Sequence, residues 1–554
     1  MTMTGLTLGR IAQACGGTLH VSALTQAKDL VTIGETVQNG EDPRMRGEYN
    51  RLRDTEISSV TTDSRTADGN CLFAAIAGER ADGHKFISAV YTLGAVCVIS
   101  ERNLGPGDLP AGDSVSGESA AEVNESGNPA AAVRRTADAA PVCRAWIKVC
   151  DTLTALGDIA GEYLRILGIP VIGITGSVGK TSTKEMIASV LSTKLRTLKP
   201  AGNFNNDLGV PLTVFRLRSQ DEIAVLELGI SHFGEMHRLA EIARPDTAVI
   251  TNIGTCHLEF LKDRDGVLKA KTEIFESLRP GGTVILNGND DKLRTVSRVG
   301  GKAPLFFGVS SNEPQADGLC AGEKINFPGN LDPRQCVYAV NIKPRGFDGS
   351  VCTMKTPQGD FEVKIPVPGI HSISNAAAAA AVGLIYGLTP DQIRTGIESV
   401  KTISGRFRIL SPGSMTVIDD CYNANPVSMK ASLNVLHSAS GRRVAILGDM
   451  GELGEDEVKM HEEVGRYAAD RVDKLIAIGP LARYMYDAAR QALAQKCPGT
   501  SGRPAPGPDI VCYGTVAEFL AKKDEELLPG DTVLVKASHF MQFPQIVGAL
   551  TQNA

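Results

Sequence analysis

The strongest constraint on the fold is a short segment in which an apolar run leads through a glycine-rich turn into a helical pattern. The apolar run is Val171–Thr175, and the helical pattern covers residues 181–194. Backbone N–H groups in such a turn can close on phosphate oxygens. Lys180 would place its charge on the β- and γ-phosphates, and the Thr181 hydroxyl would reach Mg²⁺. The segment therefore predicts a nucleoside triphosphate site in an α/β domain.

The glycine spacing of this turn departs from the usual phosphate-loop pattern. Glycines stand at positions 173, 176 and 179, and Ile174 occupies the place where that pattern has its first glycine. A GTPase is the first alternative, but the sequence lacks the Asn-Lys-x-Asp segment that a guanine-specific GTPase would normally carry. The turn thus indicates a bound nucleotide without identifying the reaction.

Further apolar runs alternate with helical patterns, which predicts parallel sheets covered by helices on both faces. The chain has 554 residues, and division by about 150 residues per domain gives about 3.7, so we expect three or four domains. We place boundaries near residue 150, before the glycine-rich turn, and near residue 405, after an alanine-rich helix. The other expected buried strands are residues 224–228, 248–253, 416–418, 444–447, 475–478 and 532–535.

Composition excludes several classes of function. The chain has 57 Lys and Arg against 63 Asp and Glu, a net charge of −6, and only 5% aromatic residues. It therefore has neither the basic excess nor the stacking residues of a nucleic-acid-binding protein. The longest apolar run, residues 376–388, is too short to span a bilayer, and the N-terminus resembles an amphipathic helix rather than a leader. Its twelve cysteines form no CxxC pair, so we expect reduced cysteines in a cytoplasmic protein without membrane insertion.

Four polar stretches are expected to be loops or insertions: residues 35–56, 101–142, 311–335 and 495–508. The longest of them, 101–142, contains no aromatic residue and no isoleucine. Such a segment cannot bury enough apolar surface to offset its ordering entropy. We therefore expect it to be a mobile, low-complexity insertion in the N-terminal domain.

Three charged or titratable residues downstream of the turn are candidates for metal chemistry. Glu227 ends an apolar run, and a carboxylate at the carboxyl end of a parallel strand points into the ligand crevice. It is a reasonable Mg²⁺ ligand, although a solvated carboxylate is the alternative. His257 follows the next strand, and Lys271 lies in a helical pattern. Taken alone, the histidine is more often structural and the lysine more often a solvated surface group.

Eight motifs follow one another in a fixed order: GITGSVGKTSTKEM, GNFNNDLGVPLTV, VLELGISHFGEM, ITNIGTCHLEFL, AKTEI, SGRF, DDCYNANP and ILGDMGELGE. Together they closely resemble the Mur ligase family, the ATP-dependent amide-forming enzymes of bacterial peptidoglycan synthesis. The resemblance covers roughly residues 57–100 and 150–554. Within the family it is strongest to the group that joins D-alanyl-D-alanine to UDP-N-acetylmuramoyl-tripeptide, and the Asp-Asn-Pro-Arg segment of the diaminopimelate-adding group is absent.

The resemblance implies an α/β protein of three domains. These are a small UDP-sugar-binding N-terminal domain (1–150), a central ATP-binding domain with a mainly parallel sheet (151–404) and a C-terminal Rossmann-like domain (405–554). It also implies roles for residues of this chain. ATP would be bound by Thr175, Gly176, Ser177, Val178, Gly179, Lys180, Thr181, Asn375, Arg406 and Asp420, and the metal by Thr181, Glu227, His257 and, if carbamylated, Lys271. The substrates would be bound by Ser64, Arg65, Asn203, Asn205, Asn206, Asn423 and Asn425. The catalytic residues would be Lys180, Glu227, His257 and Lys271.

The implied activity is ligation through an acyl phosphate, with ATP and Mg²⁺ as cofactors and the UDP-tripeptide and D-alanyl-D-alanine as partners of a monomer. Two alternatives stay open: another amide ligase of the superfamily, such as a sibling Mur ligase or the folylpolyglutamate type, and a non-catalytic ATP-binding relative. The sequence departs from the family pattern at Ser177-Val178, at Ser372 and at the C-terminal segment Lys536-Ala-Ser-His539. The last departure puts the role of that C-terminal loop in doubt.

Overall fold

The computed structural model describes residues 2–24, 30–34, 43–78, 81–110, 143–200, 202–310, 335–496 and 508–551. The chain divides into two compact units. The first consists of Met1–Ile169 with Asp207–Gln220, and the second of Pro170–Asn206 with Asp221–Ala554. Strands and helices alternate in both, as the sequence predicts.

The described secondary structure begins with a short helix and ends with one. The strands are β1 Thr18–Leu24, β2 Leu30–Ile33, β3 Val60–Thr61, β4 Leu72–Ala74, β5 Cys97–Ser100, β6 Arg144–Lys148, β7 Val171–Thr175, β8 Thr197–Leu198, β9 Ile223–Glu227, β10 Thr247–Ile250, β11 Thr283–Asn287, β12 Leu305–Val309, β13 Cys336–Pro344, β14 Ser350–Lys355, β15 Phe361–Ile365, β16 Arg408–Leu410, β17 Thr416–Asp419, β18 Arg443–Gly448, β19 Lys474–Ile478, β20 Asp509–Tyr513 and β21 Thr532–Lys536. The α-helices are α1 Leu8–Ala14, α2 Pro43–Arg53, α3 Ile87–Thr92, α4 Thr152–Leu167, α5 Lys180–Leu191, α6 Gly209–Val214, α7 Glu235–Ala243, α8 Leu258–Leu261, α9 Arg264–Thr272, α10 Ile370–Ile385, α11 Pro390–Glu398, α12 Pro426–His437, α13 Glu457–Ala468, α14 Ala482–Lys496, α15 Val516–Glu526 and α16 Pro544–Thr551.

The first unit contains a six-stranded sheet in the order β2-β1-β6-β5-β4-β3. β1 is antiparallel to both of its neighbours, whereas β6, β5, β4 and β3 are parallel. Trp146 on β6 is buried, and its indole N–H donates to the Ser22 hydroxyl on β1 at 2.9 Å. The Tyr91 hydroxyl on α3 donates to the Ala145 carbonyl at 2.7 Å, which ties that helix to the same strand.

The prediction of a loop over residues 35–56 is wrong for residues 43–53, which form α2. Met45, Tyr49 and Leu52 are its buried side chains, and their spacing of four and three residues places them on one helical face. This face packs against β1. Four arginines among its eleven residues hid the pattern, because three apolar positions raise the average hydrophobicity very little. Residues 35–42 lie outside the described residues.

Two buried leucines, Leu104 and Leu109, anchor the start of the second predicted insertion to the hydrophobic core of the first unit. In the same segment Arg102 and Asp108 form an ion pair with a nitrogen–oxygen distance of 2.6 Å. The prediction that 101–142 lacks a core is therefore wrong for its first ten residues. Residues 111–142 lie outside the described part, as do 311–334 and 497–507 of the other two predicted insertions.

The second unit contains a nine-stranded sheet in the order β15-β14-β13-β12-β11-β10-β7-β9-β8. Pairing is parallel from β8 to β13, and β14 and β15 add an antiparallel edge. The alanine-rich α10 packs on α5, and six consecutive alanines from Ala376 to Ala381 are fully buried. A Cβ atom at Gly396 on α11 would lie 2.4 Å from the Val190 Cα atom of α5, so glycine allows these helices to approach.

The third sheet has the order β16-β17-β21-β18-β19-β20 and is parallel except for β16. The buried strands expected from the sequence are all present, with ends shifted by up to three residues. The antiparallel edges escaped prediction because β14 and β15 alternate buried and less buried residues instead of forming continuous apolar runs. In the described ranges, no helix combines the length and the apolar character needed to cross a bilayer.

Candidate active site

The glycine-rich turn between β7 and α5 has a shape that only glycine permits. Gly176 has a φ of +147°, and a Cβ atom there would lie 1.9 Å from the Thr251 hydroxyl oxygen. Gly179 has a φ of +84° and immediately precedes the first residue of α5, Lys180. The turn therefore presents backbone N–H groups at a helix N-terminus, which is the arrangement that binds phosphate.

Side chains from the segment after β10 hold this turn in place. The Val178 N–H donates to the Asn252 side-chain oxygen at 3.0 Å, and the Asn252 amide returns a bond to the Val178 carbonyl at 3.0 Å. The Ser177 hydroxyl accepts from the Gly254 N–H at 2.8 Å. Ser177 and Val178, which depart from the family pattern, thus have structural partners here. Asn252 was not predicted from the sequence, because no spacing links residue 252 to residue 178.

The side chains of Lys180 and Thr181 lie at the start of α5, as expected for phosphate-loop residues. The Lys180 ammonium donates to the Gly176 carbonyl at 2.7 Å, so it folds back over the turn. The Thr181 hydroxyl donates to Glu227 Oε1 at 3.1 Å and accepts from Arg406 Nη2 at 3.2 Å. The structure therefore brings together a hydroxyl, a carboxylate and a guanidinium that are far apart in the sequence.

Glu227 has the burial and the open oxygen expected of a metal ligand. Its side chain is 1% exposed, and Oε1 accepts from Thr181 and from the Asn205 amide at 2.9 Å. Oε2 has no hydrogen-bond partner. Within the described ranges no three His, Cys, Asp or Glu residues cluster as a metal site, so an ion here would also need phosphate and water oxygens. Mg²⁺ binds in that way, so the site fits it.

His257 follows β10 with a φ of +54° and faces a carboxylate from the loop after β18. Its Nδ1 lies 2.6 Å from Glu452 Oε2, at ion-pair distance. The proximity of the His257 ring lowers the pKa of Glu452 below its usual value. Glu452 also has a positive φ, +60°. Glu452 was not predicted from the sequence, since only the fold brings it to His257.

Lys271 lies on α9 and is completely buried, although a lysine in a helical pattern is usually solvated. Its ammonium nitrogen has no hydrogen-bond partner. Burial lowers the pKa of Lys271 to about 8, and the charge of Lys180 acts in the same direction. A buried amine with a lowered pKa is partly uncharged near neutral pH, and an uncharged amine is a nucleophile. Lys271 is therefore unlike a solvated surface lysine, and its place in the site stays a prediction.

Asn375 on α10 lies beside the phosphate loop. Its side-chain oxygen accepts from the Thr183 hydroxyl at 3.0 Å, while its amide nitrogen is buried and without a hydrogen-bond partner. A Cβ atom at Gly179 would lie 3.3 Å from the same oxygen. An unused amide donor at this position is compatible with adenine recognition, which stays a prediction.

Arg406 rests on an aromatic side chain of the C-terminal part of the second unit. Its guanidinium carbon lies 3.9 Å from the centre of the Tyr422 ring, and His539 packs edge-on against that ring at 5.7 Å. His539 belongs to the segment that departs from the family pattern. The structure thus gives it a role: it supports the ring that supports Arg406.

Asp420 is fully occupied by partners within the C-terminal part of the chain. Its carboxylate accepts from the Phe407 N–H at 3.2 Å, the Ser432 hydroxyl at 2.6 Å and the Lys536 ammonium at 2.5 Å. Lys536 itself is buried. In this structure Asp420 therefore holds the residue after Arg406, and its contact with the nucleotide stays a prediction.

The predicted substrate residues fall into three places. Asn203 and Asn205 are joined side chain to side chain at 2.8 Å in the segment after β8, which also contains the exposed Asn206. Asn423 is exposed, and the Asn425 side-chain oxygen caps α12 by accepting from the Ser428 N–H at 2.9 Å. Ser64 and Arg65 lie in the first unit, where Arg65 is exposed and pairs with Asp63 at 2.6 Å.

Three family profiles match successive parts of the chain. The catalytic domain of the Mur ligase family matches residues 56–164, the Mur ligase middle domain matches residues 174–383, and the profile named Mur ligase, glutamate ligase domain matches residues 405–539. These ranges include the first sheet in part, the phosphate loop and the C-terminal sheet.

Individual proteins are similar to the chain over most of its length. The UDP-N-acetylmuramoyl-tripeptide--D-alanyl-D-alanine ligase of Bacillus subtilis (strain 168) is 32% identical over 503 residues, which cover 90% of this chain and 94% of the relative. A crystal structure of MurF from Acinetobacter baumannii has a TM-score of 0.74 at 29% identity and covers 99% of this chain and 98% of its own. MurF ligase from Thermotoga maritima, crystallised in complex with ADP, has a TM-score of 0.67 at 24% identity and covers 89% and 97%.

Proposed function

The chain belongs to the Mur ligase family and is an ATP-dependent amide ligase, and from that premise we propose how its residues perform the reaction. The reaction joins D-alanyl-D-alanine to UDP-N-acetylmuramoyl-tripeptide and gives the pentapeptide precursor of peptidoglycan, the activity for which its relatives are named. The observation that carries the proposed site is the contact of Thr181 with both Glu227 and Arg406 beside the phosphate loop.

The chemical task is to join a carboxylate to an amine in water, and a carboxylate is a poor electrophile. The terminal carboxylate of the tripeptide attacks the γ-phosphate of ATP, which gives an acyl phosphate and ADP. The amine of the dipeptide then attacks the acyl carbon, and phosphate leaves. Because two anions meet in the first step, positive charge must surround the transferred phosphoryl group. Lys180 and Arg406 supply such charge from α5 and from the segment before β16.

Mg²⁺ fits the site, because Glu227 keeps one buried oxygen without a hydrogen bond and the Thr181 hydroxyl lies beside its other oxygen. When bound, Mg²⁺ neutralises negative charge on the phosphates. We assign Thr181, Glu227, His257 and a carbamylated Lys271 as the residues that would hold it. The last two assignments rest on the resemblance to the family.

The remaining roles follow the same resemblance. We assign residues 1–150 to the UDP-sugar, with Ser64 and Arg65 as its contacts, residues 151–404 to ATP, and residues 405–554 to the Rossmann-like domain. Asn203, Asn205 and Asn206, together with Asn423 and Asn425, are assigned to the peptide and the incoming dipeptide. Because the reaction consumes ATP, which is made inside the cell, we propose that the protein acts in the cytoplasm. We also propose that it is a monomer.

The experiment that tests the proposal is phosphate release from ATP with each substrate omitted in turn. Release should require both UDP-N-acetylmuramoyl-tripeptide and D-alanyl-D-alanine. A non-catalytic ATP-binding relative would release no phosphate under any of these conditions. An enzyme of the folylpolyglutamate type would respond to a folate acceptor and not to the UDP-sugar.

Glu227→Ala is expected to weaken metal use more than nucleotide binding. Loss of the buried carboxylate should raise the Mg²⁺ concentration for half-maximal activity roughly tenfold or more, because Mg²⁺ keeps few protein ligands and each one matters. High Mg²⁺ should restore part of the rate. The exposed Glu222→Ala serves as the control. A Glu227→Ala variant whose activity is indifferent to metal concentration would make Glu227 a structural residue.

Shortening the insertion is expected to have little effect on activity. Residues 111–142, which lie outside the described part, have a composition that offers no core. Since the entropy of closing a loop changes slowly with its length, replacing residues 112–141 by a short Gly-Ser linker should change kcat/KM less than about twofold. Leu104 and Leu109 must be retained, because they are buried. A folded deletion variant without activity would show that the segment contacts a substrate.

A further inference from the structure

Lys184 is a fully buried lysine on α5, one turn beyond the phosphate-loop lysine. Burying an ammonium group is costly unless oxygens replace its water. Three oxygens do so here. The Lys184 nitrogen donates to the Gly202 carbonyl at 3.1 Å and lies 3.3 Å from Glu185 Oε1 and 3.6 Å from Glu227 Oε2. The proposed mechanism leaves this buried charge unused.

The contact with Glu227 matters because that carboxylate is also buried. Its Oε1 is occupied by Thr181 and Asn205, whereas Oε2 has no hydrogen bond and faces Lys184 across 3.6 Å. A buried carboxylate without a nearby positive charge is strongly unfavourable. Lys184 therefore balances the charge of Glu227 in the absence of a divalent cation.

The same lysine fixes the segment that follows β8. Lys184 holds the Gly202 carbonyl, and three residues later the Asn205 amide donates to Glu227. The Gly229 N–H, just beyond β9, donates to the Asn205 carbonyl at 2.8 Å. Both ends of the segment 202–205 are thus tied to the pair formed by Lys184 and Glu227.

We propose that Lys184 is a positioning residue that serves as the resident counter-ion of Glu227. It holds the carboxylate and the segment 202–205 in place before a divalent cation arrives, and it shares the charge of Glu227 once the cation is bound. The inference rests on the proposed function only in taking Glu227 as the carboxylate that meets Mg²⁺. Glu185 lies slightly closer to Lys184, but it is less buried than Glu227 and its charge is already shared with Lys199.

The proposal makes a prediction about stability that needs no catalysis. In Lys184→Met the aliphatic volume is kept and the charge is lost, so Glu227 is left buried and unpaired. The melting temperature without Mg²⁺ should fall by roughly 5 °C or more. Added Mg²⁺ should then raise the melting temperature of the variant more than that of the wild type, because the cation replaces the missing charge. Measurements at constant ionic strength, without nucleotide, separate this effect from general salt screening.

Two double variants identify the partner. Glu227→Gln removes the unpaired charge and should recover most of the stability lost in Lys184→Met, whereas Glu185→Gln should recover little. Lys194→Met, an exposed position just beyond α5, is the matched control and should change neither stability nor its Mg²⁺ dependence. If Lys184→Met itself is too unstable to purify, the double variant with Glu227→Gln still tests the pairing, since it should fold.

The proposal is overturned if Lys184→Met shows the same Mg²⁺ response as the wild type, or if Glu227→Gln fails to restore its stability. The failure of the proposed function is a separate result. A wild-type protein that releases no phosphate with both substrates would overturn the ligase assignment and leave the thermal data on the Lys184–Glu227 pair unaffected. Normal ligation with no coupling between the two residues would overturn the counter-ion role alone.

Discussion

Lys180→Ala should lower ATP-dependent ligation by roughly a thousandfold or more, because it removes the positive charge that the phosphate loop places on the transferred phosphoryl group. In the structure the Lys180 ammonium is held by the Gly176 carbonyl at 2.7 Å, above the loop. The measurement is phosphate release with saturating UDP-N-acetylmuramoyl-tripeptide and D-alanyl-D-alanine.

Binding of the UDP-tripeptide to this variant should stay close to that of the wild type, as measured by calorimetry. The reason is that the proposed UDP contacts, Ser64 and Arg65, belong to the other compact unit. Lys194→Ala is the control for the loss of a lysine near the same helix. Near-normal turnover in Lys180→Ala would falsify the phosphate-loop assignment.

The second large effect concerns Lys271, whose buried amine has no hydrogen-bond partner. With a pKa of about 8, roughly a tenth of the amine is uncharged at pH 7. An uncharged amine adds to CO₂ and releases a proton, which converts a charge of +1 into a carbamate of −1. Lys271→Ala should then lose activity by roughly a hundredfold or more, since it removes a charged group from the reaction site. A small carboxylic acid such as acetate should restore part of it by occupying the vacated space.

Lys271→Arg separates a carbamate from an ordinary cation. A guanidinium stays protonated and cannot be carbamylated, so this variant should be as inactive as Lys271→Ala and insensitive to acetate. Lys269→Ala, an exposed lysine on the same helix, is the control. Protein labelled with ¹³C-bicarbonate should show a carbamate carbon signal that is absent from Lys271→Ala. Wild-type activity in Lys271→Arg would mean that the lysine acts as a cation.

The sequence predicted the parts of the site that one short segment determines. Val171–Thr175, the glycines of the turn and Lys180 are consecutive, so strand, loop and helix follow from local pattern alone. The same holds for Glu227 at the end of β9. The neighbouring sequence alone identifies these residues, and no tertiary contact is needed to recognise them.

The parts that escaped prediction depend on contacts between distant segments. Asn252 braces Val178, Glu452 meets His257, and Lys184 faces Glu227, yet each pair is separated by at least 43 residues. The burial of Lys271 also escaped prediction, since a helical pattern does not tell which face of α9 is covered by the rest of the protein. The helix α2 was predicted as a loop because charged residues dominate its composition, yet three apolar side chains on one face are enough to pack it.

The bracing of the phosphate loop by Asn252 and Ser177 has a consequence for nucleotide capture. Hydrogen bonds within the protein itself hold the loop in shape, so binding does not have to order it, and little conformational entropy is lost when ATP arrives. Capture at such a loop is set by diffusion and electrostatic attraction rather than by a slow rearrangement. Affinity for ATP is then governed by the dissociation rate of the nucleotide.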